Sequence, residues 1–436
     1  MKIRLPLPKP VQKSAQSPKK LAQLNQQLAA LSAQFRRASA AADYQRAYEL
    51  VRQVIDLVPQ HPVAYMDLAY TELQLKRYLD AYAHYQHAIT LSNGSVDPNI
   101  YDGLCEVCFA LNRAQDMQHF GRLAIERKQQ QASQEPKLTL PQAAPERFLV
   151  ENPNQNIISF SLFGDHPRYC ETAVLNVIRA KELYPNWRCR FYVDDSVPTP
   201  ILQRLSQHGA QLIKVTETQA QISGLFWRFL VMDDPQVKRF LIRDADSLIS
   251  PREVAAVQQW LDSDRWFHLM RDYYSHTELI LAGMWGGCTG VFHQVEALIS
   301  DYIHSGRYLN TRVMDQHFLR YCIWPTLCQS VMTHDRYGFD PSAEAFPGDQ
   351  KQDTPVTLTR HAHVGMNESS AVVNVTVPDS MARQIQWILY NNKKQIVCQY
   401  RATVDESGSI DLHLPELYAA QIRVKAWNLQ IYPVQN

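Results

Sequence analysis

No run of about 18 apolar residues occurs in the 436-residue sequence, so no segment of it reads as a membrane-spanning helix. The first twenty residues carry Lys2, Arg4, Lys9, Lys13, Lys19 and Lys20 and no acid, yet no apolar stretch follows them, which speaks against a secretory leader. They read as a disordered basic tail, with a peripheral contact to an anionic membrane surface as the lesser alternative. An excess of one charge is missing as well. Lys and Arg number 44 against 43 Asp and Glu, a formal net charge of +1, and that balance argues against a dedicated nucleic-acid binder. A disulfide framework is also missing, because the eight cysteines (Cys105, Cys108, Cys170, Cys189, Cys288, Cys322, Cys328 and Cys398) are scattered. Cys105 and Cys108 form a lone CxxC with no partner pair nearby. Their spacing puts both on one face of a helix, as small packing residues rather than metal ligands. Reduced thiols and a cytoplasmic protein are the expectation.

What is present is an ordinary globular composition, 45% hydrophobic, in a chain long enough for two or three domains. Over 21–130 the apolar residues recur at intervals of three and four, the period of packed helices. Within this region "HPVAYMDLAYTELQLKRYLDAYAHYQHAITL" places Tyr65, Leu68, Ala69, Ala81, Tyr85 and Ala88 where a tetratricopeptide repeat packs its neighbours. Ala47 and Pro59 fit upstream, and Tyr101, Leu104, Cys105 and Ala124 fit more loosely downstream. The region resembles two to three such repeats, with a plain helical bundle as the alternative. Stacked repeats offer an extended surface for a peptide, a protein or a second copy of the chain, so they are expected to select the acceptor or build a homodimer, outside the chemistry. Residues 131–150 are polar and proline-punctuated and read as a linker. From 151 to 370 strands and helices alternate: "NIISFSLFG", an amphipathic helix, "CRFYVDDS", a helix closed by Gly209, then "AQLIKV". That order predicts a mostly parallel sheet with helices on both faces. From 371 to 436 five short β-rich runs, "AVVNVTV", "QIQWILY", "QIVCQYRAT", "SIDLHLP" and "AQIRVKAW", predict a small all-β, sandwich-like domain, with "NNKK" and "DESGS" as hairpin turns.

The stretch richest in chemistry is "KRFLIRDADSLISPRE" at 238–253. "RFLI" reads as a buried strand, and Ser250, Pro251 and Glu253 read as a capped helix start. Asp244 and Asp246 lie between them, at the strand end where α/β sheets bind ligands. If extended, residues i and i+2 point to one side, so the two carboxylates can face one hard cation, Mn2+ or Mg2+, which in turn holds a diphosphate. The plainer alternative is a pair of solvated loop residues.

Residues 156–365 resemble a GT-A fold glycosyltransferase. Asp244-Ala245-Asp246 resembles its metal-binding D-x-D. "WRFL" resembles its upstream arginine element, "GMWGGCTGVF" at 283–292 its glycine-bearing strand and loop, "MDQHFL" at 314–319 its D-Q helix start, and "HAHVG" at 361–365 its C-terminal histidine. The glycine pair usual before D-x-D is replaced by "DDPQVK". The resemblance implies Asp244, Asp246 and His363 as metal ligands, with His361 and His334 as rival ligands. It implies Phe163, Gly164, Asp195, Arg228, Gly283, Gly286 and Gly287 on the donor side, and Arg271, Asp272, Trp285 and Gln316 on the acceptor side. Asp315 would orient the acceptor or act as base. The structural alternatives are a salt bridge from Arg228 to Asp233 or Asp234, a tight turn at the glycines, a core Trp285 and a capping Asp315. The implied function is transfer of a sugar from a nucleotide sugar, UDP-linked by family implication, to a protein, peptide or glycan acceptor. Retaining stereochemistry rests on the D-Q element. The competing readings are a haloacid-dehalogenase-like phosphatase, a nucleotidyltransferase using the D-x-D, and a non-enzymatic repeat adaptor carrying an inactive transferase domain.

Overall fold

The structure, a computed structural model, describes residues 18–306, 313–349, 363–367, 371–378 and 383–434. The basic tail before residue 18 and His361 lie outside them.

The described chain begins with a helical region: α1 (Pro18–Ala40), α2 (Tyr44–Leu57), α3 (Pro62–Gln74), α4 (Tyr78–Leu91), α5 (Pro98–Ala110) and α6 (Ala114–Ala132). Local chemistry sets the ends. Asp43 and Asp97 cap α2 and α5 by accepting from the Arg46 and Asn99 backbone N–H groups, and prolines at the first turn start α3 and α5 without wasting an N–H. The helices pack in consecutive pairs, α1 on α2, α3 on α4 and α5 on α6. Leu68, Ala69, Ala81, Tyr85 and Ala88 are buried in the contacts. Tyr85 of α4 lies against Gly103 of α5 so closely that a Cβ there would sit 2.2 Å from its ring, which joins one pair to the next.

A mixed α/β layer follows: β1 (Asn156–Leu162), α7 (Pro167–Leu183), β2 (Arg188–Val193), α8 (Thr199–Gln207), β3 (Gln211–Lys214), α9 (Glu217–Ala220), a 3-10 segment (Gly224–Asp233) and β4 (Arg239–Arg243). Next come α10 (Pro251–Leu261), β5 (Phe267–Arg271), β6 (Met284–Cys288), α11 (Val295–His304) and α12 (Met314–Phe318). A π-helical turn (Leu319–Ile323), α13 (Trp324–Leu327) and β7 (Val331–Asp335) complete the layer. The strand order is β3-β2-β1-β4-β6-β5-β7, and only β6 runs against its neighbours. The β3-β2-β1-β4 half is the order of a nucleotide-binding βαβ unit, whose ligands lie beyond the carboxyl ends of the strands. Because β6 is reversed, its start at Met284 lies beside the end of β4 at Arg243, so one sheet edge gathers the ends of β1, β4 and β5 and the beginning of β6.

The C-terminal part forms two small antiparallel sheets, β8 (Ala371–Thr376) with β11 (Ser409–Leu414), and β9 (Gln384–Tyr390) between β10 (Ile396–Thr403) and β12 (Asn428–Pro433). Two expectations are corrected here. The run "AQIRVKAW" is not a strand: α14 (Glu416–Arg423) covers its first half, with Tyr418 and Ala419 buried. "DESGS" is not a hairpin, because the strands on either side of it belong to different sheets, whereas "NNKK" does join the β9–β10 hairpin. Nor, among its described residues, does this part have a core of its own. Trp387, Tyr400, Leu412 and Leu414 belong to the same apolar cluster as Phe160, Val174 and Phe191 of the α/β layer.

The helical region is likewise joined to the α/β layer. One apolar cluster runs from Tyr85, Leu104 and Phe120 to Phe229, Phe240, Trp285 and Phe339. Phe109 of α5 stacks on Tyr274 at 3.8 Å. Gln118 and Arg122 of α6 donate to the Tyr337 and Gly338 carbonyls at 2.7 and 2.8 Å.

Candidate active site at the D-A-D turn

The sheet interior fixes where β4 ends. Arg243, its last residue, is buried and donates through Nε to Glu253 Oε1 at 2.9 Å. Glu253 also closes the capping box of α10 with Ser250, so one carboxylate ties the strand end to the following helix. Between them the chain turns, because the Ser247 N–H bonds to the Asp244 carbonyl at 3.3 Å. The extended geometry expected for D-A-D is therefore absent, and the two carboxylates take different arginines. Asp244 Oδ1 accepts from Arg228 Nη1. Asp246 Oδ2 accepts from Arg168 Nε at 2.9 Å and Nη2 at 2.5 Å. They remain electrostatic neighbours. Burial raises the Asp246 carboxyl above its ordinary value, the Asp244 charge raises it further, and Arg168 opposes both.

Arg228, on the 3-10 segment beside β1, is the centre of the arrangement. Its guanidinium is 5% exposed and bridges Asp244 and Asp315, whose Oδ2 accepts from Nη2 at 2.7 Å. Neither alternative partner is used: Asp233 caps the start of α11, and Asp234 pairs with Arg190. Burial works against the Arg228 charge, and the two carboxylates outweigh it, so its pKa is raised. Asp315 is itself buried and pushed up by that burial, with Arg228 opposing and Asp244 adding. Its Oδ1 accepts the Gln316 backbone N–H at 3.0 Å, so both oxygens are engaged and its place is to hold Arg228.

Gly283 lies directly against Asp244. A Cβ at 283 would sit 2.1 Å from Asp244 Oδ2 and 2.9 Å from its backbone nitrogen. Gly283→Ala is expected to push that carboxylate aside and cut turnover about a hundredfold, the scale of a 1 Å misplacement, while destabilising the chain by only about 1–2 kcal/mol. Steady-state kinetics with a denaturation curve checks this. Full activity in the alanine variant would mean that Asp244 need not stand where it does.

Of the other residues singled out in the sequence, some lie at that sheet edge and some inside the sheet. Phe163 is exposed over Gly224, edge-on to Trp227, and Gly164 takes a left-handed turn with φ of 75°. Asp195 is at the surface, paired with Lys214. Gly286 and Gly287 are inside the sheet. Cβ atoms there would meet the Phe240 carbonyl at 2.5 Å and the Phe267 ring at 2.5 Å, so strand packing accounts for both. Trp285 is fully buried between Phe229 and Phe240 and offers no platform to a sugar, which corrects the acceptor-side expectation. Arg271 and Asp272 are buried too, so neither lines an open surface. Arg271 donates to the Glu278 and Leu279 carbonyls, and Asp272 accepts from Arg252 and from the Val364 N–H. His334 is buried between His268 and Gln259, a core histidine rather than a ligand. His363 stacks on Tyr273 at 3.9 Å beside the end of β5, and the short segment it begins returns to the D-A-D turn, where Asn367 bridges to Ser247.

His276 packs edge-on to His363, and its Nδ1 accepts the Asp272 N–H at 3.0 Å, a bond that requires a neutral ring. Burial, then His363 and Arg271, hold its pKa down at about 3. The folded-state pKa is depressed below the unfolded value of 6.5, so the contribution is full above pH 6.5 and is lost as pH falls toward about 3. His276→Asn, which keeps an acceptor and loses the titration, is expected to gain about 2 kcal/mol on the native chain between pH 7 and pH 5. Denaturant midpoints at the two pH values measure it. A gap between the two proteins that does not move with pH contradicts the neutral buried ring.

Among the described residues no three His, Cys, Asp or Glu side chains gather as a metal site, so the expected set with His363 is not assembled. The two aspartates alone still offer oxygen donors of the kind a hard cation takes. Arg228 takes Oδ1 of Asp244 and Arg168 takes Oδ2 of Asp246, which leaves the second oxygen of each outside its ion pair. Asp244 is 40% exposed, and the missing Gly283 side chain leaves room for its Oδ2. Two carboxylate oxygens completed by water and phosphate are the usual protein share of a Mg2+ site. Sequence reading missed Arg168. Its one signal was position, just after a proline at the start of the first helix following β1.

No family model matches the sequence, and no curated protein does. Among solved structures, an O-GlcNAc transferase mutant from Thermobaculum terrenum is 14% identical, covering 47% of this chain and 44% of that chain at a TM-score of 0.26. A 4-diphosphocytidyl-2C-methyl-D-erythritol synthase from Anaerococcus prevotii is 11% identical, covering 42% of this chain and 89% of its own, at a TM-score of 0.28. The chain thus spans less than half the length of the first, and at such scores neither likeness carries an argument.

Proposed function

We propose that this chain is a metal-dependent glycosyltransferase, moving a sugar from a nucleotide sugar, UDP-linked in the first instance, to a protein, peptide or glycan acceptor. In this reading 151–370 form a GT-A-type domain, 21–130 a tetratricopeptide-like array that selects the acceptor or pairs two copies in the cytoplasm, and 371–436 an accessory unit. The observation that supports it most is one arrangement. Where β1 and β4 end, Asp244, Asp246, Arg228 and Asp315 converge, with Gly283 against the first carboxylate.

Asp244 and Asp246 would hold Mn2+ or Mg2+, which when bound supplies charge neutralisation for a departing nucleoside diphosphate. The chain's own residues prepare that place. Arg228 fixes Asp244 from below and is itself held by Asp315, so the carboxylate is positioned before any ligand arrives. Phe163, exposed at the end of β1, offers a ring to a nucleotide base. Gln316, half-buried beside Asp315, is a polar group that would meet an acceptor. Retention of anomeric configuration belongs to this reading through the Asp315-Gln316 element.

Hydrolysis of a panel of nucleotide sugars, with manganese and with a chelator, tests the proposal. Metal-dependent release of a nucleoside diphosphate from one donor is expected. Release from none of them, together with no binding of any nucleoside diphosphate, would sink it.

A further inference from the structure

We infer that Arg168 binds the donor phosphates and is parked on Asp246 until a donor arrives, so that its guanidinium and the divalent cation compete for that carboxylate. The inference rests on the transferase reading and deepens it.

Its first support is place. Arg168 is the second residue of α7, the helix that β1 enters through Phe163 and Gly164. In βαβ nucleotide sites the diphosphate rests on backbone N–H groups of this turn and this helix start. Here four of those donors are committed. Gly164 N–H donates to Ser196 Oγ at 2.6 Å, Arg168 N–H to His166 Nδ1 at 3.2 Å, and the Tyr169 and Cys170 N–H groups to the His166 carbonyl at 3.1 and 3.2 Å. The full positive charge at that position is the Arg168 side chain.

The second support is an asymmetry between the two arginines. Arg228 is 5% exposed and held by two carboxylates, so it cannot leave. Arg168 is 22% exposed and, among the described residues, has one carboxylate. It places Nε and Nη2 on a single oxygen, Asp246 Oδ2, rather than making the two-oxygen fork typical of a fixed arginine–carboxylate pair. Its guanidinium lies over the Tyr169 ring at 5.1 Å, a contact that keeps it at the site when it releases Asp246.

Charge balance gives the direction of the exchange. Asp244, Asp246 and Asp315 face Arg228 and Arg168, so the group carries one net negative charge when all are ionised. A divalent cation on Asp244 and Asp246 turns this to one net positive charge and repels the neighbouring guanidinium. The diphosphate that follows the cation then has a released arginine to meet it.

The test is calorimetry on the full chain, titrating Mn2+ alone and then UDP at saturating Mn2+. Arg168→Gln is expected to bind Mn2+ alone about tenfold more tightly and UDP roughly 10–100-fold more weakly, the scale of one or two lost charge-assisted hydrogen bonds. Arg168→Lys keeps the charge without the planar fork, so its Mn2+ affinity stays near native while UDP binding falls severalfold, and this variant decides the matter if the glutamine protein does not fold. Unchanged or weaker Mn2+ binding in a folded Arg168→Gln protein, or unchanged UDP binding in both variants, overturns the inference. A native protein that binds neither Mn2+ nor UDP overturns the transferase reading with it. A native protein that binds both, alongside variants that behave like it, overturns this inference alone.

Discussion

Asp244→Asn and Asp246→Asn are each expected to lower sugar transfer about a thousandfold, because an amide holds a divalent cation far less well and several kcal/mol of charge stabilisation go with it. In stability the two variants should part. Asp246 pairs with Arg168, which is partly exposed and can turn to water when the carboxylate is neutralised. That change is expected to cost about 1 kcal/mol or less. Asp244 is one of two carboxylates that neutralise Arg228, a guanidinium with almost no access to solvent whose Nε has no hydrogen-bond partner among the described residues. Asp244→Asn leaves Asp315 alone to balance it and is expected to cost about 1–3 kcal/mol. Kinetics paired with urea denaturation separates the two effects. Native-like activity in either variant, with metal still required, removes the D-x-D assignment. Equal stabilities would show that Arg228 does not depend on Asp244.

The difference between these aspartates was not legible in the sequence, and the reason is distance along the chain. The strand "RFLI" and the capped helix at Ser250 could be read because each is set by residues within one or two turns. The alternation of strands and helices, and with it a mostly parallel sheet, was legible for the same reason, whereas the reversal of β6 was not. Charge pairing is not local. Arg228 chose Asp244 and Asp315 over the adjacent Asp233 and Asp234 because those two were already committed to α11 and to Arg190. Arg168 reaches Asp246 from a helix that begins much earlier in the chain. Trp285 illustrates a second limit. A β-rich run looks the same whether a residue faces a ligand or the core, and the packing of Phe229 and Phe240 decided it. The "AQIRVKAW" run failed for a third reason. Its apolar residues suit a strand, but the helix had already begun at Glu416, ahead of the run, with Tyr418 and Ala419 turned inward.

Lys128→Met is expected to destabilise the protein by about 3–5 kcal/mol, the cost of leaving a buried charge without its partner. Lys128, on α6, is 1% exposed. Its ammonium donates to both Asp102 oxygens at 2.7 and 2.9 Å and to the Thr277 carbonyl at 2.7 Å, and lies 3.9 Å from Glu278. Burial pushes the Asp102 carboxyl up, and Lys128 opposes that rise, so methionine would leave a buried acid to protonate or draw in water. Glu278 would fare better. Burial would raise it, but Arg320 and Lys128 together hold it at about 2, and the Arg320 pair survives the change. Asp102→Leu combined with Lys128→Met should recover part of the loss, because no charge is then stranded. The effect should reach the active site, since Thr277 and Glu278 lie on the segment between β5 and β6 that delivers Gly283 to Asp244. Turnover should therefore fall along with stability. The same contacts bear on a deletion of residues 1–140, since the sequence reading set the repeats outside the chemistry. That deletion would remove Lys128, Phe109 and Phe120 from a core shared with Trp285 and Phe339, so the remainder is not expected to fold. Denaturant unfolding of Lys128→Met, with and without Asp102→Leu, is the measurement. A single variant within about 1 kcal/mol of the native chain, or a folded and active deletion, would mean that the helical region is an attachment rather than a wall of the catalytic unit.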